Sequence, residues 1–332
     1  MKVLLYTESE KTVGKSGLGK AIKHQMKALE KAKVDYTRDE KDDYDILHIN
    51  TYFLKSYLLA KKAKKQGKKI VYHAHSTEED FRNSFMFSNQ LAPLFKKWIV
   101  HCYNLGDGIV TPTPYSKRLL EGYGIKKPIY AISNGIELSA FRRDKKLGEE
   151  FRKKYHIKKG EKVIIGIGIY IERKGIVDFI DLARRMPQHK FIWIGYSPLS
   201  LSNKKVKKAF KRIPSNLTMA GYVENDILRG AMSGCDLYLF PTLEENEGIP
   251  IIEACASETD AIIRDIPVFE DWSEDGVNVY KAKDIDDFEQ KIEDFFSGKL
   301  KSLTKEAKKV AEERSLENVG EQLKKLYESL YQ

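Results

Sequence analysis

The chain has little cysteine, no long apolar run and no tract of low complexity. Three cysteines, Cys102, Cys235 and Cys255, are scattered through 332 residues without metal-ligand spacing. That excludes a disulfide scaffold and fits a reducing cytoplasm, with each thiol expected as a small core residue. The longest apolar stretches, such as VIIGIGIYI at 163–171, fall short of the roughly 20 residues that cross a bilayer. No transmembrane helix is expected. The start, MKVLLYTESE, turns acidic within a few positions, so it reads as a first strand and not as a signal peptide. RNP, zinc-finger and helix-turn-helix patterns are all missing, which leaves nucleic acid without a recognition element.

What is present is charge, unevenly placed. Of the net +10, residues 1–150 supply all: they hold 28 Lys and Arg against 18 Asp and Glu, whereas 151–332 hold 30 of each. Lysines cluster in KKAKKQGKK at 61–69, and 81–100 mixes Phe81, Phe85, Phe87, Phe95 and Trp98 with Arg82, Lys96 and Lys97. Basic residues beside aromatics suit a peripheral protein on an anionic membrane, at about 1 kcal/mol per basic residue near the surface. A solvated lysine-rich helix face is the plain alternative.

Apolar runs of strand length alternate with amphipathic helical stretches from end to end. Strands are expected at 2–7, 45–49, 69–73, 108–112 and 129–132, then at 162–169, 190–194, 217–220, 236–240, 260–263 and 277–280. Such alternation implies βαβ units and parallel sheets. The two series are separated by the charged stretch 137–161. We therefore expect an α/β chain of two doubly wound, Rossmann-like domains with a cleft between them: 1–140, 141–312, and a terminal helix 313–332 packing back toward the first. A helical pattern covers 303–331.

Five segments fall at strand ends. GKSGLGK (14–20), with Gly17 and Gly19, opens a helix after the first strand, where glycine lets backbone approach a ligand or simply makes a turn. In HAHSTEEDFRNSF (73–85), His73 and His75 point the same way; without a third ligand, His75 suits a hydrogen bond to a sugar hydroxyl better than a metal. Asn134-Gly135 makes a tight turn. Arg173 and Lys174 follow the strand VIIGIGIY and precede a helix, as a diphosphate clamp would, although basic loop pairs are often only solvated. Glu245 and Glu253 flank a switch from the strand LYLFP to a helix with Pro250 in its first turn. Carboxylates there could accept hydrogen bonds from hydroxyls of a phosphorylated ligand, or merely match the helix dipole.

Taken in order, SNGIEL, ERKG after a glycine-rich strand, and E-x7-E before a helix resemble retaining glycosyltransferases of family 4, which have the GT-B fold. More narrowly, HAHSTEEDFRNSF, ISNGIEL, RKGI and RDIPVF look like the bacterial membrane-associated enzymes that extend glycosyl-diacylglycerols. The resemblance implies transfer of glucose from UDP-glucose to monoglucosyl-diacylglycerol at the cytoplasmic face of the membrane. It implies that Glu253 binds the ribose and that Glu245 faces the hexose. Gly248, Ile249 and Pro250 would lie near sugar and diphosphate, Lys174 with Arg173 would hold the diphosphate, and His75 would approach the hexose. Gly17, Gly19 and Asn134 would line the donor side. No tightly bound cofactor is implied, and Mg2+ stimulation would need no defined protein site. Ile169 stands where many members have arginine, and Glu247 where phenylalanine is usual. UDP-galactose as donor, a soluble polysaccharide acceptor, a UDP-sugar epimerase and a non-catalytic partner subunit are the competing expectations.

Overall fold

The computed structural model describes residues 1–9 and 17–331. They divide into two compact units: the described residues within 1–81, 90–137 and 314–331 form one, and residues 82–89 and 138–313 form the other.

The first unit is built on six strands: β1 (Lys2–Tyr6), β2 (Asp35–Thr37), β3 (Ile46–Ile49), β4 (Lys69–His73), β5 (Gly108–Thr111) and β6 (Ile129–Ala131). All neighbours are parallel, in the order β2-β1-β3-β4-β5-β6. The strands read as unbroken apolar runs because helices cover both faces of the sheet. Leu4, Leu47, Ile70 and Ile109 face one core, and Val3, Leu5, Ile46 and Val71 face the other. The short edge strand β2 carries too little apolar sequence to be expected.

The second core is completed by the helix Leu316–Tyr331, whose Leu316, Val319, Leu323, Leu326 and Tyr327 are buried against it. Its backbone lies against the helix Gly17–Lys31 so closely that a Cβ on Gly320 would stand 2.2 Å from the Ala28 carbonyl oxygen. The helical stretch expected over 303–331 is two helices, Thr304–Glu313 and Leu316–Tyr331. The break has a cause: Ile136 donates to the Arg314 carbonyl (2.9 Å) and accepts from the Leu316 amide (3.1 Å), which takes that backbone out of the helical ladder.

The second unit repeats the plan with β7 (Val163–Ile167), β8 (Lys190–Ile194), β9 (Leu217–Gly221), β10 (Leu237–Phe240), β11 (Ala261–Arg264) and β12 (Tyr280–Ala282). The order is β12-β11-β10-β7-β8-β9, again all parallel. Strand order reverses between β7 and β10, and at such a switch point the loops leaving two neighbouring strands diverge and open a crevice. The charged stretch after residue 137 is mostly helical. Asp144 caps the helix Lys145–Lys154 by accepting from the Leu147 amide (3.1 Å), and Phe151 buries its apolar face. All three cysteines are buried, and burial pushes the Cys102 and Cys235 thiols up to about 12, which leaves them inert as nucleophiles.

Candidate functional site

The crevice of the second unit gathers the basic pair and the first glutamate. The chain leaves β7 and forms a single 3-10 turn, Glu172–Lys174, before the helix Ile176–Arg185. Gly175 makes this possible. Its φ is +73°, and a Cβ there would stand 2.1 Å from the Pro241 carbonyl oxygen at the end of β10. The two strand ends therefore meet with backbone against backbone at this point. The Leu243 amide (2.7 Å) and the Thr242 hydroxyl (3.0 Å) both donate to the Arg173 carbonyl, fixing one loop on the other.

Lys174 Nζ donates to Glu245 Oε1, and Arg173 Nη1 lies 3.8 Å from Glu245 Oε2. The Thr242 hydroxyl lies 3.2 Å from the same carboxylate and shares its one proton between it and the Arg173 carbonyl. Arg173 is held further by its 2.9 Å bond to the Glu244 carbonyl and a 3.2 Å bond to the Ser84 hydroxyl. Burial pushes the Glu245 carboxyl upward; Lys174, then Arg173, then the hydrogen bonds from Lys174 and Thr242 outweigh it, so its pKa falls below the ordinary carboxylate value. Glu245 is thus ionised, and two cations are concentrated at a strand end by one carboxylate.

After this cluster the chain passes Glu247 and Gly248 into the helix Ile249–Ala256, with Pro250 in its first turn and Ile249 buried. Proline fits there because the first amides of a helix have no intrahelical acceptor. Glu253, one turn on, is completely buried. Below it, burial and the charges of Glu253 and Glu245 hold the Tyr238 hydroxyl protonated. Arg264 braces the arrangement from beneath: its Nε donates to the Pro241 carbonyl (3.2 Å), Nη1 to the Lys283 carbonyl (3.1 Å) and Nη2 to Asp178.

The first unit carries the other residues singled out in the sequence. His75 Nε2 donates to the Asn50 side-chain oxygen (3.0 Å), and Asn50 in turn donates to Gln25 (2.9 Å). The His73 and His75 rings stack with centroids 3.9 Å apart. His48 joins the group through His73 Nδ1 (3.2 Å) and the Tyr327 hydroxyl (2.6 Å). Burial lowers His48 and His75 to about 3 and His73 well below its ordinary value, so the whole cluster is neutral. Asn134 is buried beside Gly135, whose carbonyl accepts from His24 Nδ1 (2.7 Å). Gly17 and Gly19 begin the helix Gly17–Lys31, whereas residues 14–16 of the GKSGLGK segment lie outside the described residues. Among the described residues no group of three or more His, Cys, Asp or Glu is placed to hold a metal ion.

Sequence reasoning passed over Thr242, Ser84, Asn50 and Arg264 as functional residues. Thr242 had a signal, since it follows LYLFP directly at a strand end. Asn50 likewise ends DILHIN. Ser84 and Arg264 are drawn in by contacts across 89 and 86 positions, to Arg173 and Asp178.

Residues 148–314 match the sequence profile described as Glycosyl transferases group 1, and residues 22–140 match that of Glycosyltransferase Family 4. The processive diacylglycerol alpha-glucosyltransferase of Acholeplasma laidlawii is 40% identical over 333 aligned residues, spanning 99% of this chain and 98% of that protein. The alpha-galactosylglucosyldiacylglycerol synthase of Streptococcus pneumoniae is 24% identical, over 96% of this chain and 87% of its own length. Among solved structures, Anabaena HepE in complex with UDP and glucose superposes with a TM-score of 0.78 at 16% identity, covering 99% of this chain and all of that one. At that identity the likeness is one of fold.

Proposed function

The chain belongs to the glycosyltransferases of family 4, with the GT-B architecture of two Rossmann-like units, and from that premise we propose that it transfers glucose from UDP-glucose to monoglucosyl-diacylglycerol with retention of the alpha configuration. The observation that carries the reading is the cluster of Lys174, Arg173 and Glu245 at the switch between β7 and β10. Two cations on a braced loop match a diphosphate. Carboxylates beside them match the hydroxyls of the attached sugars, and a sugar nucleotide presents both within one ligand.

In this reading Lys174 and Arg173 hold the diphosphate, while the helix start at Gly248, Ile249 and Pro250 faces sugar and diphosphate. Glu245 exchanges its ion pairs for hydrogen bonds to the hexose, and Glu253 takes the ribose. His75, Asn134, Gly17 and Gly19 are given donor-side roles on the resemblance alone. The acceptor oxygen bonds to the anomeric carbon on the face that UDP leaves. Its proton passes to a departing phosphate oxygen, so the chemistry depends on stabilising negative charge on the leaving group more than on a protein base.

A lipid acceptor requires work at a bilayer surface. No helix among the described residues is long and apolar enough to cross a membrane, so peripheral attachment to the cytoplasmic leaflet is the reading. Support comes from the helix Leu54–Lys65, which leaves Leu54 and Leu58 exposed among Lys55, Lys61 and Lys62. Leu91 and Leu94 are exposed on the helix Ser88–Tyr103, and Tyr57 joins the two helices by its ring contact with Trp98 (5.5 Å). Trp98 and Phe95, by contrast, are turned inward: Trp98 donates to the Tyr52 carbonyl (2.7 Å), and Phe95 stacks on Phe81 (4.1 Å).

The test is direct. Purified protein is incubated with labelled UDP-glucose or UDP-galactose and vesicles carrying diacylglycerol or its monoglucoside, and the lipids are then chromatographed. Labelled alpha-diglucosyl-diacylglycerol is expected. Label from UDP-galactose alone would replace the donor, the alternative that the pneumococcal relative's name favours, and no lipid product from either donor would end the reading. Because the Acholeplasma relative is named processive, the number of sugars added should be counted.

A further inference from the structure

Residues 82–89 leave the first unit's stretch of chain and pack with the second unit. At their tip three consecutive large apolar side chains, Phe85, Met86 and Phe87, are 40%, 50% and 64% exposed. The loop is closed at its base. Asn83 donates its amide to the Asn89 side-chain oxygen (2.9 Å), and Asn89 returns a hydrogen bond to the Asn83 side chain (3.0 Å). Asn83 and Phe87 both have positive φ, +56° and +67°. For a bulky aromatic that conformation is costly and persists only where surroundings enforce it. The clasp thus holds apolar groups out in water, against both the hydrophobic effect and local backbone preference. Ser84, inside the same loop, receives the 3.2 Å hydrogen bond from Arg173 Nε.

We propose that Phe85, Met86 and Phe87 form an anchor that inserts into the lipid surface holding the acceptor, and that the Ser84–Arg173 hydrogen bond couples insertion to the diphosphate clamp. The inference rests on the glycolipid-transferase reading above and adds where lipid is gripped and what the grip does. The occupant is a bilayer and not a protein groove, for two reasons. The tip is apolar with no polar group of its own to specify a partner, and the chain's excess of positive charge, all within residues 1–150, complements an anionic membrane. Burying the tip in lipid removes the cost of its exposure and fixes the loop. A fixed loop holds Ser84, and Ser84 holds Arg173 ready for the donor. By linkage the effect is reciprocal: lipid tightens UDP-glucose binding by the factor by which UDP-glucose tightens lipid binding.

Three measurements test this. With Phe87→Trp in the full chain, tryptophan emission should shift to the blue on anionic vesicles and be quenched by brominated acyl chains; no response overturns insertion. The variant Phe85→Ser/Met86→Ser/Phe87→Ser should lose about tenfold or more in transfer to glycolipid in vesicles while keeping transfer to a monomeric octyl glucoside. Equal loss on both acceptors, or no loss on either, overturns the anchor. Finally, vesicles should tighten UDP-glucose binding by about fivefold or more in the wild type and not in Ser84→Ala; the same tightening in both, or none in the wild type, overturns the coupling. If the wild type transfers glucose to no lipid, the transferase reading fails instead, and the fluorescence still reports whether the tip inserts.

Discussion

Lys174 and Glu245 lie in direct contact, and each makes the other tolerable away from bulk water: a buried carboxylate without its cations would carry a large desolvation cost. If the cation's task is to stabilise charge on a leaving diphosphate, Lys174→Ala should lower kcat by on the order of 100-fold or more, the scale of losing one preorganised stabiliser. Turnover at wild-type rate would remove Lys174 from the clamp. Glu253→Ala should act mainly on the apparent affinity for UDP-glucose, read by titration calorimetry; an unchanged Kd would strip it of the ribose role. Gly175→Ala combines a φ of +73° with a Cβ 2.1 Å from the Pro241 carbonyl oxygen, so a loss of about 2 kcal/mol or more in unfolding free energy is expected from denaturant titration. Arg173, Lys174, Glu245 and Glu253 were legible because they sit where an apolar run ends and a helix begins. Ser84 and Thr242 were not, since their importance lies in bonds to the Arg173 side chain and carbonyl, and one sequence contains no sign of which distant loop a hydroxyl will meet.

At the scale of elements, the parallel sheets were readable because strands covered on both faces must be apolar throughout. Interruptions within and between elements were less so. The break at residues 314–315 arises from backbone hydrogen bonds to Ile136, and nothing in the local helical pattern announces it. The aromatic segment 81–100 has one composition but two fates: Phe81, Phe95 and Trp98 turn inward, while Phe85 and Phe87 face water. Composition could flag that segment but could not sort it. The contact between the helices Gly17–Lys31 and Leu316–Tyr331 supplies a further test. Gly320→Leu has no room beside the Ala28 carbonyl and should force the helices apart, lowering stability by about 1–3 kcal/mol as overpacking does. A thermal melt indistinguishable from wild type would show that the two helices can separate without cost.

For the whole molecule, the neutral histidines of the first unit make stability depend on acid. Burial lowers His24 to about 4 and His48 to about 3, and His73 lies well below its usual value. Unfolded, each would titrate near 6.5. The folded pKa values are the lower ones, so below about pH 6.5 the unfolded chain binds more protons than the folded one, and stability falls as pH drops toward 4. Melting temperature should decline from pH 7 to pH 4.5, and His48→Gln should flatten the decline; a flat wild-type profile would contradict the burial of these rings. The helix that supplies Leu316, Val319, Leu323, Leu326 and Tyr327 to the first unit's core has one more consequence, for the order in which the chain is made. Residues 138–313 leave the ribosome before that helix does, so the second unit can fold while the first still exposes the apolar face of β1 and of the helix Gly17–Lys31. The core of the first unit is therefore closed only after the residues of the second have been made, although most of its strands precede them.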